Sequence, residues 1–376
     1  MGWKPFLMEN AAAEGERPDI LILVITLILV TVGTAMIYSS SSILAMERFK
    51  DAQYFLKKQV FFVLIGMTAM VLLTKLDYHL LRKWAYPGVI LSIILLLLIF
   101  VPHLGIRAGG ARRWLNLVFF SFQVTEFAKI CIVLFLAHFL SRKVNVLKSF
   151  SRGVLAPLLV TFFIIGLIAL EPDFGTAVII AMILMMMLFL AGCSMKHLGG
   201  LTALLIPAAV WMVMFKSYRV DRLKVFLNPW SDPGNKGFQI IQSLLSFGSG
   251  GAFGVGIGDG MQKLFYLPEP HTDFILSVIA EESGFVGVMA VICLFAVLIV
   301  RGFMVAFRAP DLFGTLLAAG LTMVLALGAF INIAGVMGLI PLKGLTLPFL
   351  SYGGTSLIMS LVAVGILLNI SSHERT

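Results

Sequence analysis

Residues 176–192 read "TAVIIAMILMMMLFLAG", about 17 positions with no charged side chain. Runs of this kind recur from end to end of the chain, and 60% of its 376 residues are hydrophobic while only 12% are charged. A soluble core of this size cannot hide so much apolar surface, so the chain is an integral membrane protein. Its apolar runs, about 17–25 residues each, match the thickness of the hydrocarbon as helices. Lipid offers the backbone no hydrogen-bond partner, which makes helices the required form. The expected fold is all-α: a polytopic membrane protein with about ten transmembrane helices and one large extracytoplasmic loop.

Hydropathy places the spans near 20–41, 59–74, 84–103, 124–140, 153–170, 176–192, 197–215, 274–300, 312–337 and 346–370. The organisation expected is an N-terminal tail over 1–19, a transmembrane domain over 20–370 with its large loop at 216–273, and a short tail over 371–376. The opening "MGWKPFLMENAAAEGERPD" is polar and lacks a short apolar segment with a small-residue cleavage site, so it reads as a cytoplasmic tail. Phe6 breaks the myristoylation pattern. An even number of spans puts both ends on one side. With the ends inside, the inner segments carry about 13 Lys and Arg and the outer ones about 14; setting aside the long 216–273 loop leaves about 13 against 8, which favours cytoplasmic termini. A basic surplus remains outside, including Arg107, Arg112, Arg113, Arg219, Arg222, Lys224 and Lys263. It suits anionic lipid head groups or a phosphate-bearing substrate. Cys131, Cys193 and Cys293 are widely spaced in apolar runs, which indicates neither a zinc site nor a disulfide framework.

Within the large loop, Asn228-Pro229 and Asp232-Pro233-Gly234 mark turns. "FQIIQSLLSF" has the pattern of a short helix lying in the interface. "GSGGAFGVGIGDGMQ" lacks the flanking residues of a phosphate loop and reads as a flexible re-entrant or hinge segment. No internal repeat points to a carrier built from inverted halves.

Ionisable residues inside spans are costly and mark candidate sites. Glu126 and Lys129 of "TEFAK" lie at i, i+3 on one helix face, as a packing ion pair or as part of a site. Glu171 and Asp173 of "LEPDFGTA" fall at a turn at the membrane surface; the kinase reading of D-F-G fails for want of the other kinase motifs. In "YLPEPHTDFILSVIAEESG", Thr272 is a good N-cap and Asp273 falls in the first turn of span eight, where the helix dipole favours an anion. At 100° per residue Glu281 lies about 80° around from Asp273 and shares its face, whereas Glu282, about 180° away, pairs elsewhere. His271, Asp273 and Glu281 are therefore grouped as one candidate site. Lys343 of "IPLKGLTLPFLSYGGTS" stands between Pro341 and Gly344, before a span start loosened by Pro348, Gly353 and Gly354. Irregular backbone at that depth is tolerable only against protein or a watery cavity.

"LPEPHTDFI", "EPDFGT", "ARRWLNL", "FQVTEFAK" and "KGLTLPFLSYGGTS" resemble, in the right order, the motifs of the SEDS family, the shape, elongation, division and sporulation proteins of bacteria. "IGDGMQKLFYLPEPHTDF" and "PLKGLTLPFLSYGG" are closer to the division type than to the elongation type. The resemblance implies a ten-helix inner-membrane glycosyltransferase that polymerises lipid II at the septum. It also implies a class B penicillin-binding protein, a transpeptidase, as partner, among other membrane proteins of the division machinery. It makes Asp273 catalytic and puts Arg113, Glu126, Lys129, Asp173 and Lys343 around an outward-facing cavity. Asp273 is either a general base or a ligand of a divalent cation, Mg²⁺ or Mn²⁺. The chain departs from the family at "SFQVTE", where Ser121 and Val124 replace a basic residue and a proline, and in "PLKG" and "AEESG". The rival expectations are a lipid II flippase, whose buried charges would form a route between leaflets, and a non-catalytic division scaffold.

Overall fold

The computed structural model describes residues 18–108, 111–117, 120–215, 217–235, 237–263, 267 and 270–373; most of the two tails lies outside them. The side chains of Arg107, Arg112 and Arg219 also lie outside what is described, as does Pro268. Twelve α-helices are present among the described residues: α1 (Ile20–Phe49), α2 (Tyr54–Lys75), α3 (Ala85–Leu98), α4 (Val124–Arg142), α5 (Leu155–Leu170), α6 (Phe174–Leu190), α7 (Met195–Met214), α8 (Ser217–Leu227), α9 (Phe238–Gly250), α10 (Ile275–Arg308), α11 (Leu312–Val336) and α12 (Gly354–Ser371). Nine helical segments among the described residues are long and apolar enough to cross a membrane, and α6, at 17 residues, is a shorter apolar helix. The ten expected spans are thus α1–α7 and α10–α12. The chain is a multi-pass membrane protein.

Aspartates set several helix starts. Asp19 accepts from the N–H groups of Leu21 and Ile22 at the head of α1, Asp173 from Thr176 at the head of α6, and Asp311 from Gly314 at the head of α11. Each offsets the positive end of the helix dipole while satisfying a donor that lipid could not. At the face where α1 and α11 begin, Asp19 also binds Arg301 of α10 at 2.6 Å, and Asp311 binds Arg82 and the Tyr78 hydroxyl. These ties close one end of the bundle. The candidate residues gather at the other.

Between α3 and α4 a three-stranded antiparallel meander forms from β1 (Gly105–Ala108), β2 (Ala111–Leu117) and β3 (Phe120–Gln123), with Ile106 opposite Trp114 and Trp114 opposite Gln123. It was not expected. Two short runs around Gly109-Gly110 carried the hairpin signal, yet beside two long spans they read as a loop. The last span starts at Gly354, not near residue 346, because 341–353 runs irregularly against protein.

α10 is broken at Gly284, whose φ of 65° and ψ of −162° lie outside the helical region. A break in lipid frees backbone groups that must find partners. The glycine-rich segment after α9 supplies them. Val255 and Gly256 donate to the carbonyls of Glu281 and Glu282 at 3.0 and 3.1 Å, while Phe285 and Val286 donate to Gly251 and Ala252 at 2.9 and 3.1 Å. The approach is close enough that a Cβ on Gly254, itself at φ 82°, would lie 2.1 Å from the Glu282 carbonyl oxygen. This segment, expected as a flexible re-entrant or hinge segment, is therefore fastened at 251–256.

The two buried glutamates complete the fastening. The Glu281 carboxylate accepts from the N–H groups of Met261 and Gln262 at 2.7 and 3.1 Å. Lys263 donates to Glu282 at 2.5 Å, to the Ser39 hydroxyl at 2.9 Å and to the Gly258 carbonyl at 2.7 Å. Lys263 is accordingly a buried structural charge and not part of an open basic surface.

Removing one member of such a pair strands the other in the interior, which costs about 3–5 kcal/mol. Lys263→Met should lower the thermal unfolding temperature measurably in detergent, and adding Glu282→Gln should recover much of the loss.

Candidate functional site

The segment His271–Asp273 enters the head of α10 as irregular backbone, and its three successive carbonyls are each held from another part of the chain. Tyr352 N–H donates to His271 at 2.8 Å, the Ser351 hydroxyl to Thr272 at 2.5 Å, and the Asn332 side-chain amide to Asp273 at 2.9 Å. Asn332, buried on α11, also donates to the Leu345 carbonyl at 2.6 Å. One amide thus ties the Asp273 segment to the Lys343 segment. The Asp273 carboxylate rests on that second segment, where a Cβ added to Gly344 would lie 2.8 Å from its Oδ2. The cap position of α10 falls at Phe274, one residue beyond Asp273, and its own side chain makes no cap hydrogen bond.

Lys343 reaches from the same segment to the turn between α5 and α6. Its ammonium lies 5.1 Å from the centre of the Phe174 ring. Burial lowers its pKa and the charge of Asp173 opposes the change. Asp173 accepts from the Thr176 N–H at 3.2 Å and hydroxyl at 2.8 Å, and Arg113 Nε on β2 stands 4.0 Å from its Oδ2. Arg113 also donates to the Pro172 carbonyl at 3.1 Å. Glu171 and Asp173, expected at the membrane surface, are both buried, at 1% and 3% exposure.

Glu126 and Lys129 form the expected pair, at 2.9 Å, near the head of α4. They line a small cavity with Leu345, Thr346, Ser356 and Ser360. Thr346 follows directly on the Lys343–Leu345 segment, so this cavity adjoins the groups around Asp273.

Two members of the expected site have partners of their own. His271 is 3% exposed and is enclosed by Phe55 and Tyr352, whose ring centres lie 4.5 and 5.6 Å from its own. Glu281 spends its carboxylate on Met261 and Gln262. Helical angle alone could not reveal that a loop would occupy that face. Conversely, the sequence reading passed over Asn332 and Ser351. The available signal was a lone amide in the apolar run "GAFINIAGV", and a polar group inside a membrane helix normally has a partner.

Burial, aided by Arg48, pushes the His271 imidazole down to about 4 from 6.5. Between those values the unfolded chain binds more protons than the folded one, so stability present above pH 6.5 is lost as pH falls toward 4. Thermal unfolding should fall more steeply from pH 7 to pH 5 for the native chain than for His271→Phe.

The fold and these motifs have counterparts among known proteins. The family model for cell cycle proteins of the FtsW, RodA and SpoVE type matches residues 19–376. A relative named probable peptidoglycan glycosyltransferase FtsW, from Geobacter sp. (strain M18), is 44% identical over 96% of this chain and 98% of its own length. The stage V sporulation protein E of Bacillus subtilis is 43% identical over 95% and 98%. A chain solved in work on the structural coordination of polymerization and crosslinking by a peptidoglycan synthase complex superposes with a TM-score of 0.77 at 32% identity, covering 94% of this chain and 97% of that one. The rod shape determining protein RodA of Thermus thermophilus superposes with a TM-score of 0.70 at 26% identity, covering 96% and 98%. The chain, from its first span to its last, belongs to the FtsW/RodA/SpoVE family of cell cycle proteins.

Proposed function

We propose that the chain is a peptidoglycan glycosyltransferase that polymerises lipid II, with Asp273 as the catalytic carboxylate. The observation that carries this reading is the fixing of the Asp273 backbone by Asn332, Ser351 and Tyr352, beside Lys343 and Gly344. A carboxylate on a fixed backbone, resting on the segment that carries a lysine, suits a substrate that brings a sugar hydroxyl and a diphosphate to the same region. Asp273 takes the proton of the acceptor sugar's 4-hydroxyl as its oxygen attacks C1 of the donor sugar; the bond from C1 to the diphosphate breaks with inversion, and undecaprenyl pyrophosphate departs. Arg113, Lys129 and Lys343 balance the negative charge that grows on the leaving group, and Glu126 holds Lys129 in place.

No three Asp, Glu, His or Cys side chains converge as a metal cage among the described residues. Mg²⁺ ordinarily takes one or two carboxylates together with substrate phosphates, a role that Asp273 fits. A divalent cation, Mg²⁺ or Mn²⁺, would add charge neutralisation at the diphosphate.

The relatives' names favour a division or sporulation role over elongation, and the neighbour in a synthase complex supports a cross-linking partner, a class B penicillin-binding protein. The bacterial cytoplasmic membrane, with both ends inside and the site outside, is the location this reading requires. A flippase would need a polar route between leaflets. The closed ion network of Asp19, Arg301, Arg82 and Asp311 at the opposite face, and the commitment of Glu281 and Glu282 to their loop, speak for a one-sided site.

Purified chain with its transpeptidase partner should convert lipid II into glycan strands, and Asp273→Ala and Asp273→Asn should each lose about 10²- to 10⁴-fold in rate while remaining folded and partner-bound. Chelation by EDTA should slow the native complex. Normal polymerisation by either variant would remove Asp273 from the chemistry.

A further inference from the structure

The reaction described above leaves one buried acid unused. Glu171, in the turn between α5 and α6, is 1% exposed, and among the described residues neither of its carboxylate oxygens has a hydrogen-bond partner. Arg113 Nε, on β2, is likewise buried and without one among the described residues. Around these two orphans stand Asp173, held by Thr176, and Lys343, drawn in over Phe174. Arg113 and Asp173 both act on the Glu171 charge, so the two orphans belong to one charged neighbourhood, and buried polar groups unmatched in this way are rare inside proteins and call for a polar partner. The group that would satisfy both Arg113 Nε and a carboxylic O–H is an acceptor with several oxygens.

The protonation state decides what Glu171 offers. Burial pushes its pKa up to about 8, with Asp173 acting in the same direction and Arg113 against it. An ionised Glu171 would repel a phosphate, whereas the neutral acid donates an O–H to it.

We propose that Glu171 binds the diphosphate of the lipid-linked donor as a neutral hydrogen-bond donor, alongside Arg113 and Lys343. This role rests on the polymerase reading and adds a residue to it: acid at the diphosphate, base at the sugar hydroxyl. Its consequence is a pH dependence. Binding and turnover should fall as pH rises through about 8 and Glu171 ionises. Lys343, whose pKa burial also lowers, is present in native and variant proteins alike, so a difference between their profiles belongs to Glu171.

The test compares initial rates of lipid II polymerisation by the full chain with its transpeptidase partner, from pH 6 to 9.5, for native, Glu171→Gln and Glu171→Ala proteins. The amide keeps a donor but cannot ionise. Glu171→Gln should be about 3- to 10-fold slower than native at pH 7 and should lack the part of the alkaline fall that Glu171 causes. Glu171→Ala should be slower still. An unchanged alkaline fall in Glu171→Gln, or equal rates for the alanine and glutamine variants, would overturn the proposal. If the alanine variant does not fold, the glutamine profile alone decides. Binding of undecaprenyl pyrophosphate, measured on the same preparations without turnover, separates the two readings. Weakening above about pH 8 in native protein alone supports the Glu171 role even if no glycan is made, in which case only the polymerase reading falls. Identical pH dependence of binding in native and Glu171→Gln proteins overturns the Glu171 role even if glycan is made.

Discussion

A backbone amide or carbonyl left without a partner in hydrocarbon is among the most costly defects a membrane protein can carry, and this molecule departs from regular helix in two places. α10 breaks at Gly284, and the chain from 341 to 353 is irregular before α12 begins. Each departure is matched by partners fixed elsewhere. The glycine-rich segment takes up the freed groups at the break, and Asn332 and Ser351 take up those of the segments beside Asp273. Irregular backbone is thereby converted from a liability into a rigid frame.

Charge is distributed with the same economy. At one end of the bundle, acids and bases neutralise each other across α1, α10 and α11. Glu282 and Lys263 do so within the fold. At the other end Arg113 and Lys343 converge on Asp173, and the adjoining cavity holds Lys129 with Glu126. The result is a set of cations with acids interleaved, which can meet an anionic head group without collapsing onto one another. A lipid whose diphosphate sits at the interface and whose tail stays in the bilayer fits such an arrangement.

The spans were legible because their signal is additive: seventeen apolar residues in a row leave little choice of environment. The short helix α9 was legible for a related reason, since its apolar positions recur at helical spacing. The pairing of Glu126 with Lys129 followed from i, i+3 geometry. What sequence did not reveal depended on distant partners. Nothing within "AEESG" shows that Glu281 will meet Met261 and Gln262, or that Gly284 will break the helix. His271 seemed to guard the mouth of a site, yet Phe55 and Tyr352, remote in sequence, enclose it. Asn332 was overlooked because attention to charged residues hides an uncharged amide that ties two segments together.

The central claim is that one surface-facing constellation, with Asp273 on a fixed backbone and Arg113 and Lys343 as its cations, receives the diphosphate of a lipid-linked sugar. The most direct measurement is an electron cryo-microscopy structure of the chain with its transpeptidase partner and undecaprenyl pyrophosphate. The account predicts diphosphate density touching Arg113 and Lys343, next to the Asp273 carboxylate. Diphosphate bound instead at the opposite face, among Arg82, Arg301 and Asp311, would contradict it.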